Sequence, residues 1–157
     1  MNKSLLLILS LAMLTACGKK EKTDTDFSKP EGTEATTSDP STYDPKRGEG
    51  KFDKVALGAT LDQAMATEGE KVAGVKCTSC HKSTEEKLVG PGWKGVTSRN
   101  KPEWIMNFIT NPDPMITKDP KLQAQLEICL VRMPNQGLAD EEARSILEYL
   151  RKNDGVK

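Results

Sequence analysis

The sequence predicts an all-α domain of about four helices set behind a disordered tether. Three observations carry this reading. Apolar residues recur at helical spacing in four separate stretches between residues 60 and 150. Gly and Pro punctuate every gap between those stretches, and there is neither an internal repeat nor a parallel-sheet pattern. Ahead of them, residues 18–50 hold Lys, Glu, Asp, Thr, Ser, Pro and Gly with almost nothing apolar, so they bury too little surface to offset the entropy of ordering them.

At the N-terminus, Lys3 precedes an apolar run over residues 5–14 that ends in Leu14-Thr15-Ala16-Cys17. Residues 1–16 read as a signal peptide, because the apolar core is too short to cross a bilayer as a resident helix and small residues precede the cut. Leu14-Thr15-Ala16-Cys17 resembles the lipobox of bacterial lipoproteins. That resemblance implies cleavage before Cys17 and a lipid on its sulfur and new amino group. Multiple acyl chains anchor stably where one is marginal, so the mature chain is expected on the periplasmic side of a bacterial membrane. Gly18 stands where an Asp would favour inner-membrane retention in enteric-type sorting, which leans toward the outer membrane. Residues 17–50 are then a lipidated linker whose charges alternate in sign, a solvated spacer and no nucleic-acid arm. Such a chain spans on the order of 30 Å on average. It is either a leash for searching out partners or a spacer that clears the headgroups.

Residues 51–157 make one domain of ordinary small size. Positive and negative side chains balance at 23 each, so bulk charge indicates no nucleic acid and any docking patch is local. The first helix begins at Thr60, where Thr60 and Gln63 form a capping box, and runs through Met65, Val72 and Val75. The second opens near Pro102 and places Trp104, Ile105, Phe108 and Ile109 on one face before Asn111-Pro112 stops it. Asp119 caps the third, with Pro120 at its start and Leu122, Leu126, Cys129 and Leu130 at helical spacing. In the last, Asp140, Glu141 and Glu142 complement the dipole, and Ala143, Ile146, Leu147 and Leu150 form the buried stripe.

The first helix leads into Cys77-Thr78-Ser79-Cys80-His81. Two thiols three apart followed at once by an imidazole form the attachment sequence for a covalently bound c-type haem. On a helix the two thiols share a face, so both can form thioethers to the vinyl groups of one porphyrin, with His81 beneath the ring as proximal ligand. A CxxC pair is otherwise half a zinc site or a thioredoxin-like couple. The chain has no second CxxC and one histidine, which removes the zinc reading. It also excludes a bis-histidine iron and a histidine general base elsewhere. A buried porphyrin would supply the apolar mass that a domain with few aromatics lacks.

A sixth iron ligand must come from Met or Lys, or be absent. Met65 and Met106 lie within helices and read as packing residues. Met115 and Met133 lie in expected loops, and Pro134 stiffens the second of these. Met133 is the expected ligand and Met115 the alternative. Cys129 is the odd thiol once Cys17, Cys77 and Cys80 are assigned, and its helix face marks it as a buried small hydrophobe.

Over residues 60–152 the chain resembles the class I c-type cytochromes. The matching features are Gly69, the motif from Cys77 to His81, Gly90-Pro91-Gly92-Trp93, Met133-Pro134 and the closing helix with Tyr149. In that family the early Gly lets the first and last helices cross closely beneath an aromatic, positions matched by Gly69 and Tyr149. The resemblance implies that the Pro91 carbonyl accepts a hydrogen bond from His81 and that Trp93 walls the pocket. It also places Arg99 and Trp104 where donors to a haem propionate are often found, with a plain core role as the alternative for Trp104. Residues 111–120 are not part of the minimal family pattern.

The function expected from this resemblance is a membrane-tethered, mono-haem electron carrier without catalytic residues. His/Met ligation sets a relatively high potential, which suits transfer from a quinol-oxidising complex to a terminal reductase. Trp104-Ile105-Met106-Asn107-Phe108 resembles small cytochromes thought to serve nitrous oxide reduction. The alternative is a small haem enzyme or gas sensor with an open sixth position. A peroxidase would need a distal acid/base, and no other His is present. A structural lipoprotein with a CxxC disulfide is the third reading.

Overall fold

The computed structural model describes residues 43–157. Six helices and no strand occur among them: α1 Gln63–Lys76, α2 Val96–Arg99, α3 Pro102–Thr110, α4 Pro112–Lys118, α5 Pro120–Cys129 and α6 Asp140–Asn153. The all-α class is as expected. The signal peptide, Cys17 and the linker up to residue 42 lie outside the described residues.

The frame is the pair α1 and α6, which pack against each other more extensively than any other two helices. Glu142 Oε2 accepts from the Ala139 N–H at 2.9 Å at the start of α6, and basic Arg151 and Lys152 close it, so charge complements the dipole at both ends. Its buried stripe is Ala143, Ile146, Leu147 and Leu150. On α1 the facing residues are small: Ala66, Gly69 and Ala73. A β-carbon on Gly69 would overlap the Ser145 carbonyl, so only glycine permits this crossing. The start of α1 differs from expectation. The helix begins two residues later, with Gln63 its first residue and Asp62 the cap, its Oδ1 accepting from the Met65 N–H at 2.9 Å. The carboxylate serves the helix end better than the Thr60 hydroxyl because its charge also meets the dipole.

Three consecutive helices, α3, α4 and α5, each carry proline in the first turn, where its missing N–H is harmless. Asn111-Pro112 ends α3 as expected, but the same proline opens α4. Met115 is therefore in a helix, not a loop, and is fully buried. Asp119 caps α5 through the Lys121 and Leu122 N–H groups. No residue of α5 is fully buried, so Cys129 is half-buried, not the buried hydrophobe expected. Of the apolar stripe read from the sequence, Leu122, Leu126 and Cys129 face a cleft, whereas Leu130 lies just past the helix and is exposed.

The domain also starts earlier than residue 51. Residues 43–50, assigned to the linker by composition, belong to a strap that runs over α3, α4 and α6. The Tyr43 hydroxyl donates to Asp119 at 2.6 Å. Buried Asn107 donates to the carbonyls of Arg47 and Phe52 at 3.1 and 3.0 Å and accepts from the Phe52 N–H at 2.9 Å. Gly48, at φ 74°, packs against Met115 and Trp104 with no room for a β-carbon. Further along, Arg144 and Arg151 hold the carbonyls of Ala56 and Gly58, while both pair with Glu148, which is 1% exposed. The strap is held largely through its own backbone atoms, bonded to side chains of the helices, and hydropathy does not register such bonds.

A chain beginning at Lys51 should be less stable than one beginning at Tyr43 by roughly 3 kcal/mol or more, since it leaves buried Asn107 and Asp119 short of partners at about 1–3 kcal/mol per orphaned group. Equilibrium denaturation of the two truncations checks this.

Candidate haem site

The C-terminal end of α1 delivers the motif. The Cys77 N–H closes the helix onto Ala73 O at 2.9 Å, and Cys80 and His81 both donate backbone N–H groups to Cys77 O at 3.0 Å. This tight turn holds two free, half-buried thiols and the imidazole on one short segment. Burial pushes the Cys77 thiol up, Cys80 beside it adds to the shift, and Lys76 opposes it.

His81 is held from three directions. Its Nδ1 lies 2.8 Å from the Pro91 carbonyl; with Nδ1–H as donor, Nε2 keeps its lone pair for a metal. Trp93 stacks on the ring at 5.4 Å between centroids, and Tyr149 of α6 meets Trp93 edge-on at 6.2 Å. Gly90 lies so close beneath the imidazole that a β-carbon there would overlap it. The loop is pinned in turn by Gly90 N–H to Cys80 O and Trp93 N–H to Lys82 O, both 2.9 Å.

His81 opens onto a cleft of two adjoining lobes, about 530 and 240 Å³, of the size and apolar character of cofactor pockets. Cys77, His81, Pro91, Phe108, Leu122 and Met133 line both lobes. Cys80 and Cys129 line the smaller one, and Trp93, Arg99 and Trp104 the larger. The expected site residues are thus gathered around one cavity. Among the described residues no three His, Cys, Asp or Glu side chains converge as a caged ion would require. Two thiols, one free imidazole nitrogen and an apolar slot fit a porphyrin instead.

Of the methionines, Met133 faces the cleft. Met106 is buried in α3, Met65 is half-buried on α1, and Met115 packs beside Gly48 and Trp104; none of the three lines either lobe. Arg99 donates Nη1 to Lys94 O at 2.7 Å. The Trp104 indole N–H is engaged away from the cleft, by Asp119 at 3.0 Å, so its ring and not its donor faces the cavity. Sequence reasoning missed α2 and its anchor: Asp154 accepts from the N–H groups of Gly95 and Thr97 at 2.6 and 2.9 Å and from the Thr97 hydroxyl at 2.6 Å. The signals available were Gly95 just before Val96-Thr97-Ser98-Arg99 and an acidic residue just past the last helix. It also missed the part of α5, with Gln125 and Leu126, as a wall of the cleft.

The sequence profile of the cytochrome c family matches residues 66–154. The solved cytochrome c from Rhodothermus marinus is 35% identical, with a TM-score of 0.66 over 74% of this chain and 97% of that one. An engineered cytochrome c from Rhodothermus marinus is 34% identical, with a TM-score of 0.65 over 74% of this chain and 98% of that one. The same engineered protein bound to a carbene intermediate matches at 34% identity and a TM-score of 0.62. No curated protein sequence matches. This chain belongs to the cytochrome c family and is a haem electron-transfer protein. Its cofactor is one covalently attached haem c.

The Asp154 contact ties the loop under His81 to α6, and it titrates. Burial alone would raise this carboxyl, but the Thr97 and Gly95 bonds and nearby Lys94 outweigh it and hold it below its ordinary value. A depressed carboxyl contributes stability above its unfolded value of about 3.9 and loses it as pH falls through the lower folded value. Asp154→Asn should therefore be less stable than the parent at neutral pH. The gap should narrow as the pH falls below the ordinary carboxylate range, as thermal melts from neutral pH into acid would show.

Proposed function

We propose that the chain is a membrane-tethered, mono-haem electron carrier in which Cys77 and Cys80 bind the porphyrin while His81 and Met133 ligate the iron. The observation that carries this is that His81, with Nε2 free, and Met133 line both lobes of one apolar cleft. When bound, the haem supplies a one-electron ferric/ferrous couple. The residues of the chain do the rest. Pro91 sets the imidazole tautomer and raises its basicity. Trp93 and Gly90 leave the ring no other orientation. Pro134 restrains the Met133 loop, since its ring fixes one backbone angle. The Phe108 and Leu122 side chains keep water from the iron, which limits reorganisation when charge changes.

The tether is lipidated Cys17 followed by a polar linker, on the periplasmic side of a bacterial membrane and with the outer membrane favoured. A high-potential His/Met centre suits single-electron delivery from a quinol-oxidising complex to a terminal reductase. The resemblance of Trp104-Ile105-Met106-Asn107-Phe108 to small cytochromes thought to serve nitrous oxide reduction is what favours that reductase as the acceptor.

The oxidised visible spectrum tests the ligand. A thioether-to-iron band at the red end should be present and should vanish in Met133→Ala. Met115→Ala should keep the band while losing about 2–5 kcal/mol of stability, as a buried methionine truncation does. Ready carbon monoxide binding by the reduced wild type would instead show an open iron and favour a gas sensor or small haem enzyme. The tether is tested separately: Cys17→Ser should move the haem-staining protein from the membrane to the soluble fraction, with its spectrum unchanged.

A further inference from the structure

Asp119 is completely buried between α4 and α5. Its carboxylate accepts from the Tyr43 hydroxyl at 2.6 Å, the Trp104 indole N–H at 3.0 Å, and the Lys121 and Leu122 backbone N–H groups at 2.8 and 3.4 Å. None of these partners is a cation. The nearest basic residue in sequence, Lys118, is paired with Glu49. Three of the four donor residues, Trp104, Lys121 and Leu122, line the larger lobe of the cleft. A negative charge therefore sits one side chain behind the wall of the haem site, stabilised only by dipoles.

We propose that Asp119 is a positioning residue of the electron-transfer centre: it fixes the Trp104 wall of the cleft, and its buried charge lowers the reduction potential of the iron by an amount that Tyr43 moderates. The inference rests on haem occupying the cleft, and it is independent of which methionine ligates the iron. Oxidation leaves one more positive charge on the iron, and a carboxylate in a low-dielectric interior favours that state. The Tyr43 hydroxyl withdraws part of the charge by donating to it. Burial first, then the Asp119 hydrogen bond and charge, push the Tyr43 hydroxyl upward, so it keeps its proton and stays a donor. Tyr43 is on the strap, so the strap sets the electronics of the site as well as covering α3.

The test is a spectroscopic redox titration, at neutral pH, of the haem-loaded full-length protein and two variants. Asp119→Asn keeps the size and an acceptor but removes the charge, and its midpoint potential should shift upward. Tyr43→Phe keeps the charge but removes a donor, and its potential should shift downward. Loosened packing alone would admit water and lower both, so opposite signs are the signature of charge. An unshifted or lowered potential in Asp119→Asn overturns the proposal. Should Asp119→Asn fail to load haem, Tyr43→Phe is read together with its visible spectrum: a lowered potential with the wild-type spectrum supports the proposal, and an unchanged or raised potential, or a lowered one with an altered spectrum, overturns it. A wild type lacking the red-end band would sink the methionine ligand while leaving this comparison intact.

Discussion

The close crossing of α1 and α6 at Gly69 is the constraint on which the site depends. With the α1 backbone against the Ser145 carbonyl, the end of α1 is fixed relative to α6, and the Cys77 to His81 turn follows directly from that end. Tyr149 and Asp154, both late in the chain, then reach the loop that carries Pro91 and Trp93. A displacement of the helix pair would move the thiols and the imidazole away from the groups that orient them. The ion pairs that also bridge these helices, Lys76 to Glu142 and Lys152 to Glu70, are partly or largely exposed and add little. The crossing is a matter of shape.

Around that frame the polar contacts are unusually concentrated at the strap. Asn107 replaces strand pairing for Arg47 and Phe52, and Glu148 holds two arginines in position to take carbonyls from Ala56 and Gly58. Removing one partner from such a buried ionic group costs about 3–5 kcal/mol. These groups give direction to a segment with little apolar surface of its own. The same strap brings Tyr43 to Asp119, so closure of the domain and the electrostatics of the cleft meet at one carboxylate.

Much of this was legible in the sequence because it lies in local patterns. The thiol and imidazole spacing, the stripe of α6 and the prolines opening α3 and α5 each depend on neighbours within a few residues. What was not legible depends on distant partners. Thr60 cedes the cap to Asp62 beside a Leu61 N–H that is tied to the distant Lys157 carbonyl at 3.0 Å. Met115 reads as a loop residue until Pro112 is seen to begin a helix and not only to end one. The strap has the composition of a linker, since hydrogen bonds to Asn107 or Arg151 leave no trace in hydropathy. Asp154 went unnoticed and the two roles for Trp104 stayed open for the same reason: Asp119, which accepts from the indole N–H, is fifteen residues away in sequence.

The apolar face of α5 ties the helix to the cofactor as much as to the fold. Among the described residues this helix packs chiefly on α4 and buries no residue completely, while Leu122, Leu126 and Cys129 look into the cleft. A porphyrin seated there would supply the rest of its core. The same three side chains therefore serve the helix and the cofactor at once. A substitution on this face is felt as lost packing and as an altered pocket, and the two effects cannot be separated by position.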